Sequence, residues 1–303
     1  MGMFDVADKT DTLRTAVAQA IVIVSSETIR LVREGKSPKG DIVEAARVAA
    51  TMAAKRTSDL IPYCHPIPLD YIHVEVNLKE ASIEVQVEVK TIWKTGVEVE
   101  ALVAVSIGAL TVYDMLKPID KTLSIGSVRL LSKTGGIKGV SGFSGRQLKA
   151  AVLVVSDSVS CGEREDRSGR LAVEVLERYG FVVDSYGVVF DDVGKIEAEL
   201  KRFCDDLKLD LVVTCGGTGL GPRDVTPEAT LRVVEREIFV SEALRVYGQR
   251  RTPMAMLSRG VSGVRGCAVI VNLPGSPRAV SEGLAALFPG ILHVFAMLEG
   301  QGH

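Results

Sequence analysis

The sequence predicts two domains of different class: an N-terminal α+β domain and a C-terminal three-layer α/β domain with a mostly parallel sheet. The first observation is the length of 303 residues, which is more than one hydrophobic core usually supports. In the first half, apolar and polar residues alternate in YIHVEVNL and SIEVQVEV, which indicates half-buried strands of an antiparallel sheet. In the second half, continuous apolar strands alternate with helical segments, as in parallel sheets that are covered on both faces.

The elements of the first half follow from local patterns. An amphipathic stretch covers residues 12–33, and after a turn Asp41 is suited to cap a helix that extends to residue 55. The segment IPYCHPIPL is too rich in proline to be helical. A long helix is predicted over about 96–117, where Pro118 ends it, and SIGSVRLLS is a third strand.

The second half begins after a glycine-rich segment. Residues 135 to 147 include five glycines and two serines, and we interpret residues 141–148 as the linker between domains at 1–140 and 149–303. Strands are predicted at AVLVVS, FVVDSYGVV, LDLVVTC and CAVIVNLP. The helical segments between and after them lie near residues 168–179, 194–207, 227–237 and 276–287.

Composition excludes several classes of protein. The net charge of −2 leaves neither half strongly basic, so the electrostatic signature of a nucleic-acid-binding protein is absent. The N-terminus is acidic and does not resemble a signal peptide, and the longest apolar stretch, residues 101–113, is shorter than the roughly 20 residues of a membrane span. The five cysteines form no C-x-x-C pair, so we expect a cytoplasmic protein without a disulfide framework or a zinc site.

Two segments of the first half carry more cationic groups than packing requires. Lys39 precedes Asp41 in a turn, and a plain turn followed by a helix cap is the alternative interpretation. Lys55 and Arg56 precede a loop bracketed by prolines that contains His65. Such a segment is suited to an anion site, and the alternative is a structural loop with a solvated basic start.

The long predicted helix carries candidates at both ends. Thr95 and Glu98 have the spacing of a capping box, which gives Glu98 a structural explanation, whereas Glu100 has none. Asp114 and Lys117 are three residues apart and share one helix face. They form either an ordinary surface ion pair, which contributes little, or a pair in a pocket whose members perturb each other for acid–base chemistry.

The segments KRTSDLIPYCHPIPL, KTGVEVEAL and ALTVYDMLK resemble the cyclic pyranopterin monophosphate synthase family over about residues 3–136. The resemblance implies a ferredoxin-like fold with active sites at subunit interfaces. It also implies conversion of (8S)-3′,8-cyclo-7,8-dihydroguanosine 5′-triphosphate to cyclic pyranopterin monophosphate and diphosphate, with Asp114 as the acid–base residue and Lys117 and Lys39 as catalytic lysines. The segments matching the family's substrate contacts include Tyr63, Cys64, His65, Val99 and Glu100, and we add Lys55 and Arg56 as candidate substrate-binding cations. Two positions depart mildly from the family: Val99 stands where Met is usual, and Thr134 where Ser is usual.

The strongest pattern of the second half is GGTGLGPRDVTP, residues 216–227, which directly follows a predicted strand. Its glycines allow backbone N–H groups to approach an anion, whereas a plain strand-to-helix turn would need fewer. Gly216 and Gly221 have P-loop spacing, but Pro222 and Arg223 replace the required Lys and Ser or Thr. The loop is therefore predicted to bind phosphate without being a Walker loop.

Polar residues follow the other strands as well. Asp224, Asp191 and the segment 272–277 each come after a predicted strand or the glycine-rich loop, and ligands of open parallel sheets gather outside the carboxyl ends of the strands. We expect Asp224 to interact with Mg²⁺ or a pterin, unless it is a turn residue. For Asp191 and Asp192 the alternative is a solvated acidic turn. Thr226 is predicted to cap the next helix, with Pro227 in its first turn.

The segments VSDS, GGTGLGPRDVTPEAT and NLPGSP resemble the molybdopterin adenylyltransferase family over about residues 149–299. The resemblance implies a usually trimeric domain that uses ATP and Mg²⁺ to adenylylate molybdopterin with release of pyrophosphate. Asp224 and Asp191 match essential acidic positions of that family. The candidate substrate-binding residues are Ser156, Asp157, Gly216, Gly217, Thr218, Gly219, Asn272, Pro274, Gly275 and Ser276.

Three functional hypotheses remain open at the level of sequence. The first is a bifunctional enzyme for two non-consecutive steps of molybdenum cofactor biosynthesis, acting on small pterin and nucleotide substrates. In the second, the C-terminal domain only binds pterin or serves as a scaffold. A nucleotide-binding regulatory protein is the third. The synthase resemblance implies a hexameric N-terminal domain. Because a hexamer and the trimer implied for the C-terminal domain share a three-fold axis, a homo-oligomer, trimer or hexamer, is expected.

Overall fold

The computed structural model describes residues 2–7, 9–136 and 146–300. The chain forms two compact units, Met1–Val140 and Ser141–His303. Of the predicted linker 141–148, residues 141–145 lie outside the described residues, and Leu148 is buried in the core of the second unit.

The first unit is an antiparallel four-stranded sheet with helices packed on it, in the order β2-β3-β1-β4. Residues of β3 are buried alternately, because successive side chains of a strand point to opposite faces. The core lies between this sheet and the two longest helices. The elements are β1 Thr12–Ile23, α1 Ser26–Arg33, α2 Ile42–Lys55, α3 Thr57–Leu60, β2 Tyr71–Leu78, β3 Ser82–Trp93, α4 Glu98–Leu116 and β4 Ser124–Thr134.

The amphipathic stretch predicted at residues 12–33 is two elements. Its first part is the interior strand β1, which pairs with β3 and β4 and buries Ala16, Ala18, Ala20 and Val22. Ser25 then ends the extended segment and caps α1, because its hydroxyl accepts a hydrogen bond from the N–H of Thr28. The predicted cap at Asp41 is confirmed, since its carboxylate accepts from the N–H of Glu44 at 3.1 Å.

Helix α4 packs against α2 and the sheet of the first unit, and candidate site residues lie at both of its ends. It approaches α2 and the sheet closely at Gly108, where an added Cβ would lie 2.9 Å from Val85 and 3.3 Å from Ala50. By length and composition alone α4 could cross a membrane, but half of it is buried inside this unit. Its contacts with α2, β1, β3 and β4 are those of a core helix.

The second unit is a six-stranded sheet in the order β6-β5-β7-β10-β9-β8. The first four strands are parallel, and β9 and β8 are antiparallel additions. Helices α6, α10 and α11 cover one face, and α7 and α8 cover the other. The elements are β5 Lys149–Val155, α5 Asp157–Ser160, α6 Ser168–Arg178, β6 Val182–Val189, α7 Val193–Lys201, β7 Leu211–Cys215, α8 Thr226–Val233, β8 Arg236–Glu237, α9 Val240–Gln249, β9 Ser262–Arg265, β10 Ala268–Leu273, α10 Pro277–Leu287 and α11 Leu292–Leu298.

The four predicted strands of this half are confirmed, whereas two predicted helices are shorter than expected. The helix predicted at 227–237 ends at Val233, because Arg236–Glu237 pair with β9 instead. The helix predicted at 194–207 becomes a π-helical turn over Arg202–Asp206. Pro227 lies in the first turn of α8 as predicted, but Thr226 is not the cap: its hydroxyl donates to the carbonyl of Gly216 at 2.9 Å.

Candidate functional sites

The first candidate site is a lysine–aspartate cluster made of Lys39, Asp114 and Lys117. The Nζ atoms of Lys39 and Lys117 each lie 2.7 Å from an oxygen of the Asp114 carboxylate, one on each side. Lys39 also donates to the backbone carbonyl of Asp114 at 3.0 Å. Asp114 and Lys117 lie at the last turn of α4, and the turn before α2 brings Lys39 to them. In the Lys39–Asp41 turn, Asp41 caps α2 while Lys39 joins the cluster.

Asp114 and the two lysines of this cluster alter the protonation equilibria of the cluster. Hydrogen bonds from Lys117 and Lys39 lower the pKa of Asp114 to about 2, and Asp114 in turn raises the pKa of Lys117. The cluster at neutral pH is thus one carboxylate held between two ammonium groups. Exposed ion pairs of this kind contribute little stability, whereas two adjacent cations are suited to an anionic substrate.

The second candidate site is at the opposite end of α4, where Cys64 meets Glu100. The Cys64 thiol donates to Oε1 of Glu100 at 3.3 Å. Glu100 is only 2% exposed, and its buried Oε2 has no hydrogen-bond partner among the described residues. Burial raises the pKa of Glu100, and burial together with Glu100 raises the pKa of Cys64 to about 11. A buried carboxyl group without a cation beside it favours the protonated form.

The other predicted residues of this half either neighbour Cys64 or Glu100 in sequence or lie at the end of the helix that precedes Cys64. Val99 is half-buried in the first turn of α4, and His65 is half-buried beside Cys64 in sequence. Tyr63 is exposed, as are Lys55 and Arg56 at the C-terminus of α2. Five predicted residues thus belong to one loop and the helix end that precedes it: Lys55, Arg56, Tyr63, Cys64 and His65.

The predicted capping box at Thr95 and Glu98 is wrong. Glu98 is the first residue of α4, and the N-cap is Val97, which has no side-chain cap. Glu98 is instead paired with Lys133 of β4 at 3.3 Å, and Arg14 of β1 interacts electrostatically with it. Sequence reasoning missed Lys133 and Arg14 as cations near this end of α4. Lys133 directly precedes Thr134, one of the two positions that depart from the synthase family.

The two clusters do not meet within one chain. Glu100 is in the first turn of α4 and Asp114 in its last, so a rise of about 1.5 Å per residue separates them by about 20 Å. A small substrate does not span this distance. Any single site that uses both clusters must combine the end of α4 from one chain with its beginning from another.

Glu100→Gln tests the state of the buried carboxyl group. Because the folded-state pKa of Glu100 is raised above its ordinary value of 4.5, the folded protein retains a proton that the unfolded chain releases. The stability that this group contributes is present below pH 4.5 and declines as pH rises through the folded-state pKa. We expect Glu100→Gln to weaken this decline in denaturant unfolding measured across pH. The half-buried Glu98→Gln is the control, and an unchanged pH dependence in Glu100→Gln would contradict the protonated form.

The third candidate site is a cavity of about 650 Å³ in the second unit, at the carboxyl ends of its parallel strands. The loops after β5, β6, β7 and β10 all contribute to it, as the sequence predicted from the placement of polar residues. The predicted residues that line the cavity are Ser156, Asp191, Gly216, Gly217, Thr218, Gly219, Asp224, Asn272, Pro274, Gly275 and Ser276.

Two aspartates tie the loops after β5 and β6 together. The N–H of Asp157 donates to the Asp191 carboxylate at 2.9 Å, and the N–H of Asp191 donates to the Asp157 carboxylate at 3.1 Å. Asp157 is also ion-paired with Arg223, so its carboxylate fixes neighbouring loops. Asp192 caps α7 through the N–H of Lys195, which leaves Asp191 as the aspartate that faces the cavity.

The glycine-rich loop is shaped by contacts that exclude a side chain. Gly216 and Gly217 have φ values of +114° and +63°, which L-residues rarely adopt. An added Cβ on Gly216 would lie 2.2 Å from the carbonyl oxygen of Val155, and one on Gly217 would lie 3.2 Å from Oδ1 of Asp191. The backbone of the loop therefore packs closely against the neighbouring loops, and the N–H of Gly216 donates to the carbonyl of Leu273 at 3.0 Å.

The Asp224 and Asp191 carboxylates both approach this loop, Asp191 at Gly217 and Asp224 at Gly219. Asp224 accepts from the N–H of Gly221 at 2.8 Å. Burial raises the pKa of Asp191, and the neighbouring carboxylates of Asp157 and Asp224 raise it further. Among the described residues no group of three or more His, Cys, Asp or Glu side chains is arranged to hold a metal ion. Two carboxylates do fit Mg²⁺ that arrives with substrate phosphates, because Mg²⁺ typically takes one or two carboxylates and completes its shell with phosphate and water.

Asn272 lines the cavity, but its side chain is committed to the fold. Its amide donates to the hydroxyls of Thr214 and Thr230 at 3.0 and 2.9 Å, and its carbonyl accepts from the N–H of Val261 at 3.2 Å. Asn272 is 1% exposed. Its side chain is thus not available to substrate, because a buried amide that already has its partners is costly to redirect.

Sequence reasoning missed three polar residues around this cavity. Asp166 is buried and accepts from Ser168, Gly169 and Tyr186. Arg245 of α9 reaches the lining through an element that the sequence did not predict. Arg259 contacts the glycine-rich loop itself. Of these three residues, only Asp166 lies where the sequence suggests a ligand site, in the polar segment that follows the first strand of this half.

Comparison with known proteins agrees with this division. Residues 3–136 match the model of the MoaC family, and residues 151–293 match a probable molybdopterin binding domain. A "Molybdenum cofactor biosynthesis bifunctional protein" of Chlorobaculum tepidum is 41% identical over 302 residues, covering 99% of this chain and 96% of the relative. Another of the same name, from Synechococcus elongatus, is 38% identical over 317 residues, covering 99% of this chain and 98% of the relative.

The first unit also matches proteins that consist of that unit alone. The "Cyclic pyranopterin monophosphate synthase" of Thermomicrobium roseum is 50% identical over 139 residues, which are 45% of this chain and 84% of the relative. Full-length similarity to the fused proteins and separate matches for each unit lead to one assignment. The chain belongs to the family of molybdenum cofactor biosynthesis bifunctional proteins, with an N-terminal MoaC domain and a C-terminal probable molybdopterin binding domain.

Proposed function

We propose that the N-terminal domain converts the 3′,8-cyclised dihydro-GTP to cyclic pyranopterin monophosphate with release of diphosphate. The observation that carries this proposal is the lysine–aspartate cluster, in which one carboxylate holds two ammonium groups at 2.7 Å. Diphosphate leaves as an anion, and cations stabilise the charge that develops on it. Relatives named for this activity are 50% identical over the domain.

The cluster provides acid–base groups as well as charge. Asp114 is ionised over the physiological range because its pKa is about 2, so it accepts hydrogen bonds and holds both lysines in place. Asp114 raises the pKa of Lys117, and substrate phosphate beside an ammonium group likewise favours its charged form. One lysine therefore donates a proton to the purine-derived ring while the other neutralises phosphate.

We propose that each such site is shared between two chains of a homo-oligomer. The support is the separation of about 20 Å between the two ends of α4, together with the β2-β3-β1-β4 order of the sheet, which fits the ferredoxin-like fold implied by the resemblance. Mixing Asp114→Asn chains with His65→Ala chains tests this. If the site is shared, an equimolar mixture that exchanges subunits recovers activity at about a quarter of the sites, whereas sites within single chains would recover none.

We propose that the C-terminal domain adenylylates molybdopterin with ATP and Mg²⁺. The supporting observation is that Asp191, Asp224 and the glycine-rich loop converge on one cavity of about 650 Å³, which is the size of a small-ligand site. Asp191 and Asp224 would hold Mg²⁺, which would neutralise phosphate charge. The backbone N–H groups of residues 217–219 would hold phosphate.

The alternative for this domain is binding of pterin without adenylylation, as the description of its family model favours. The purified chain, incubated with molybdopterin, ATP and Mg²⁺, distinguishes the two functions. Formation of adenylylated pterin and diphosphate would support the transferase. Binding of molybdopterin by calorimetry with no diphosphate released would leave the domain as a binding module.

A further inference from the structure

Arg259 lies in the segment between α9 and β9, outside every motif that the sequence analysis singled out. Its backbone N–H donates to the carbonyl of Thr218 at 2.9 Å. The Nε atom of its guanidinium donates to the carbonyl of Gly219 at 2.7 Å, and Nη2 donates to the carbonyl of Asp224. One residue thus connects the beginning of the loop 218–224 to its end.

A second contact fixes the guanidinium itself. Nη1 of Arg259 is ion-paired with the carboxylate of Glu228 on α8. Its side chain is about one-third exposed, so the ion pair by itself contributes little to stability. The ion pair instead orients the guanidinium. Because this group is planar, holding Nη1 also fixes the directions in which Nε and Nη2 donate.

The loop needs such a brace because it has little side-chain packing of its own. Gly219 and Gly221 leave the Asp224 carboxylate free to approach the backbone, and an added Cβ on either would lie within 2.8 Å of Oδ2 of Asp224. Glycine also gives the loop more conformational freedom than other residues would. Without Arg259, the carbonyl groups of Gly219 and Asp224 would exchange a fixed donor for water, and the Asp224 carboxylate would sample more than one direction.

We infer that Arg259 is a positioning residue for the reaction of the C-terminal domain, holding the glycine-rich loop and Asp224 in the arrangement that receives the phosphates of the nucleotide. The inference rests on the adenylylation proposed above. Arg259 acts through backbone carbonyls and is not expected to contact substrate. Lysine cannot replace it, because one ammonium group cannot serve Gly219, Asp224 and Glu228 in a fixed plane.

The test compares Arg259→Ala and Arg259→Lys with wild type in steady-state adenylylation, with ATP and molybdopterin each varied while the other is saturating. We expect kcat to fall ten- to a hundredfold in both variants, since small misplacement of a catalytic group has effects of this size, while KM for molybdopterin changes less than about threefold. Arg178→Ala is the matched control, because Arg178 is an exposed arginine of α6 paired with Glu174 at 2.7 Å. It should retain wild-type rates.

Chemical rescue separates positioning from general destabilisation. Millimolar guanidinium should restore part of the kcat of Arg259→Ala, as it can occupy the space between Glu228 and the two carbonyls, and should not stimulate Arg259→Lys or wild type. If wild type is active and both variants keep its kcat, or if rate loss parallels loss of folded protein by circular dichroism without rescue, the inference is wrong. An inactive wild type that binds molybdopterin would instead overturn the proposed adenylylation.

Discussion

Asp114→Asn is expected to reduce the rate of cyclic pyranopterin monophosphate formation by about a thousandfold, within the range for loss of an acid–base group. The amide removes the negative charge that holds Lys39 and Lys117 at 2.7 Å. The two ammonium groups then repel each other and separate. Because the Asp114 carboxylate is ionised down to about pH 2, the variant differs from wild type in charge at every working pH. Product formation is measured in single-turnover reactions.

The Asp114→Asn variant should still fold, since the side chains of Lys39, Asp114 and Lys117 are all substantially exposed. Asp184→Asn is a suitable control because it disrupts another exposed aspartate–lysine pair, with Lys149 at 3.1 Å, in the other domain. It should leave the synthase rate unchanged. Retention of more than about a tenth of the wild-type rate by Asp114→Asn would show that the cluster is an ordinary surface ion pair.

Gly216→Ala is expected to destabilise the C-terminal domain by roughly 2–4 kcal/mol, the range for a backbone that a side chain cannot adopt combined with a steric clash. The added Cβ would lie 2.2 Å from the carbonyl oxygen of Val155, which is backbone and cannot move aside as a flexible side chain would. The φ of +114° adds strain. Binding of phosphate-containing ligands should be lost as the loop shifts, and denaturant unfolding monitored for each domain measures the change.

Gly180→Ala separates the two causes. Gly180 also has a positive φ, +89°, but an added Cβ there would have no neighbour within 4 Å. Its substitution should cost about 1 kcal/mol, from the backbone conformation alone. Equal effects of the two substitutions would mean that the close approach of the loop to β5 is not part of the native structure.

Much of the fold could be read from periodicity, whereas the errors occurred where tertiary contacts override a local pattern. Strands β3 and β7 follow their predicted patterns because burial on one or both faces leaves a direct trace in the sequence. Strand β1 does not, since its apolar residues satisfy a helical interpretation until neighbouring strands are known. Glu98 fits a capping box by spacing, but Lys133, distant in sequence, pairs with it.

In the candidate sites too, some features follow from the local sequence and others depend on tertiary contacts. Asp191 and Asp192 are indistinguishable as neighbouring acidic residues, and only the capping of α7 by Asp192 identifies which one faces the cavity. Asn272 looks like a ligand in sequence, yet its amide is used by Thr214 and Thr230. Arg259 gave no signal at all, because its role depends on carbonyl groups, which every residue has. Sequence motifs therefore locate the sites, and contacts decide which atoms remain available to substrate.

We propose two independent reactions on one chain, and a crossed assay of two variants distinguishes this from a single shared site. Wild type, Asp114→Asn and Asp224→Ala are each assayed for cyclic pyranopterin monophosphate formation and for adenylylation of molybdopterin by ATP and Mg²⁺. The expected result is that Asp114→Asn loses only the first reaction and Asp224→Ala only the second. Loss of both reactions in a well-folded single variant, or adenylylation that persists in Asp224→Ala, would contradict separate active sites in the two domains.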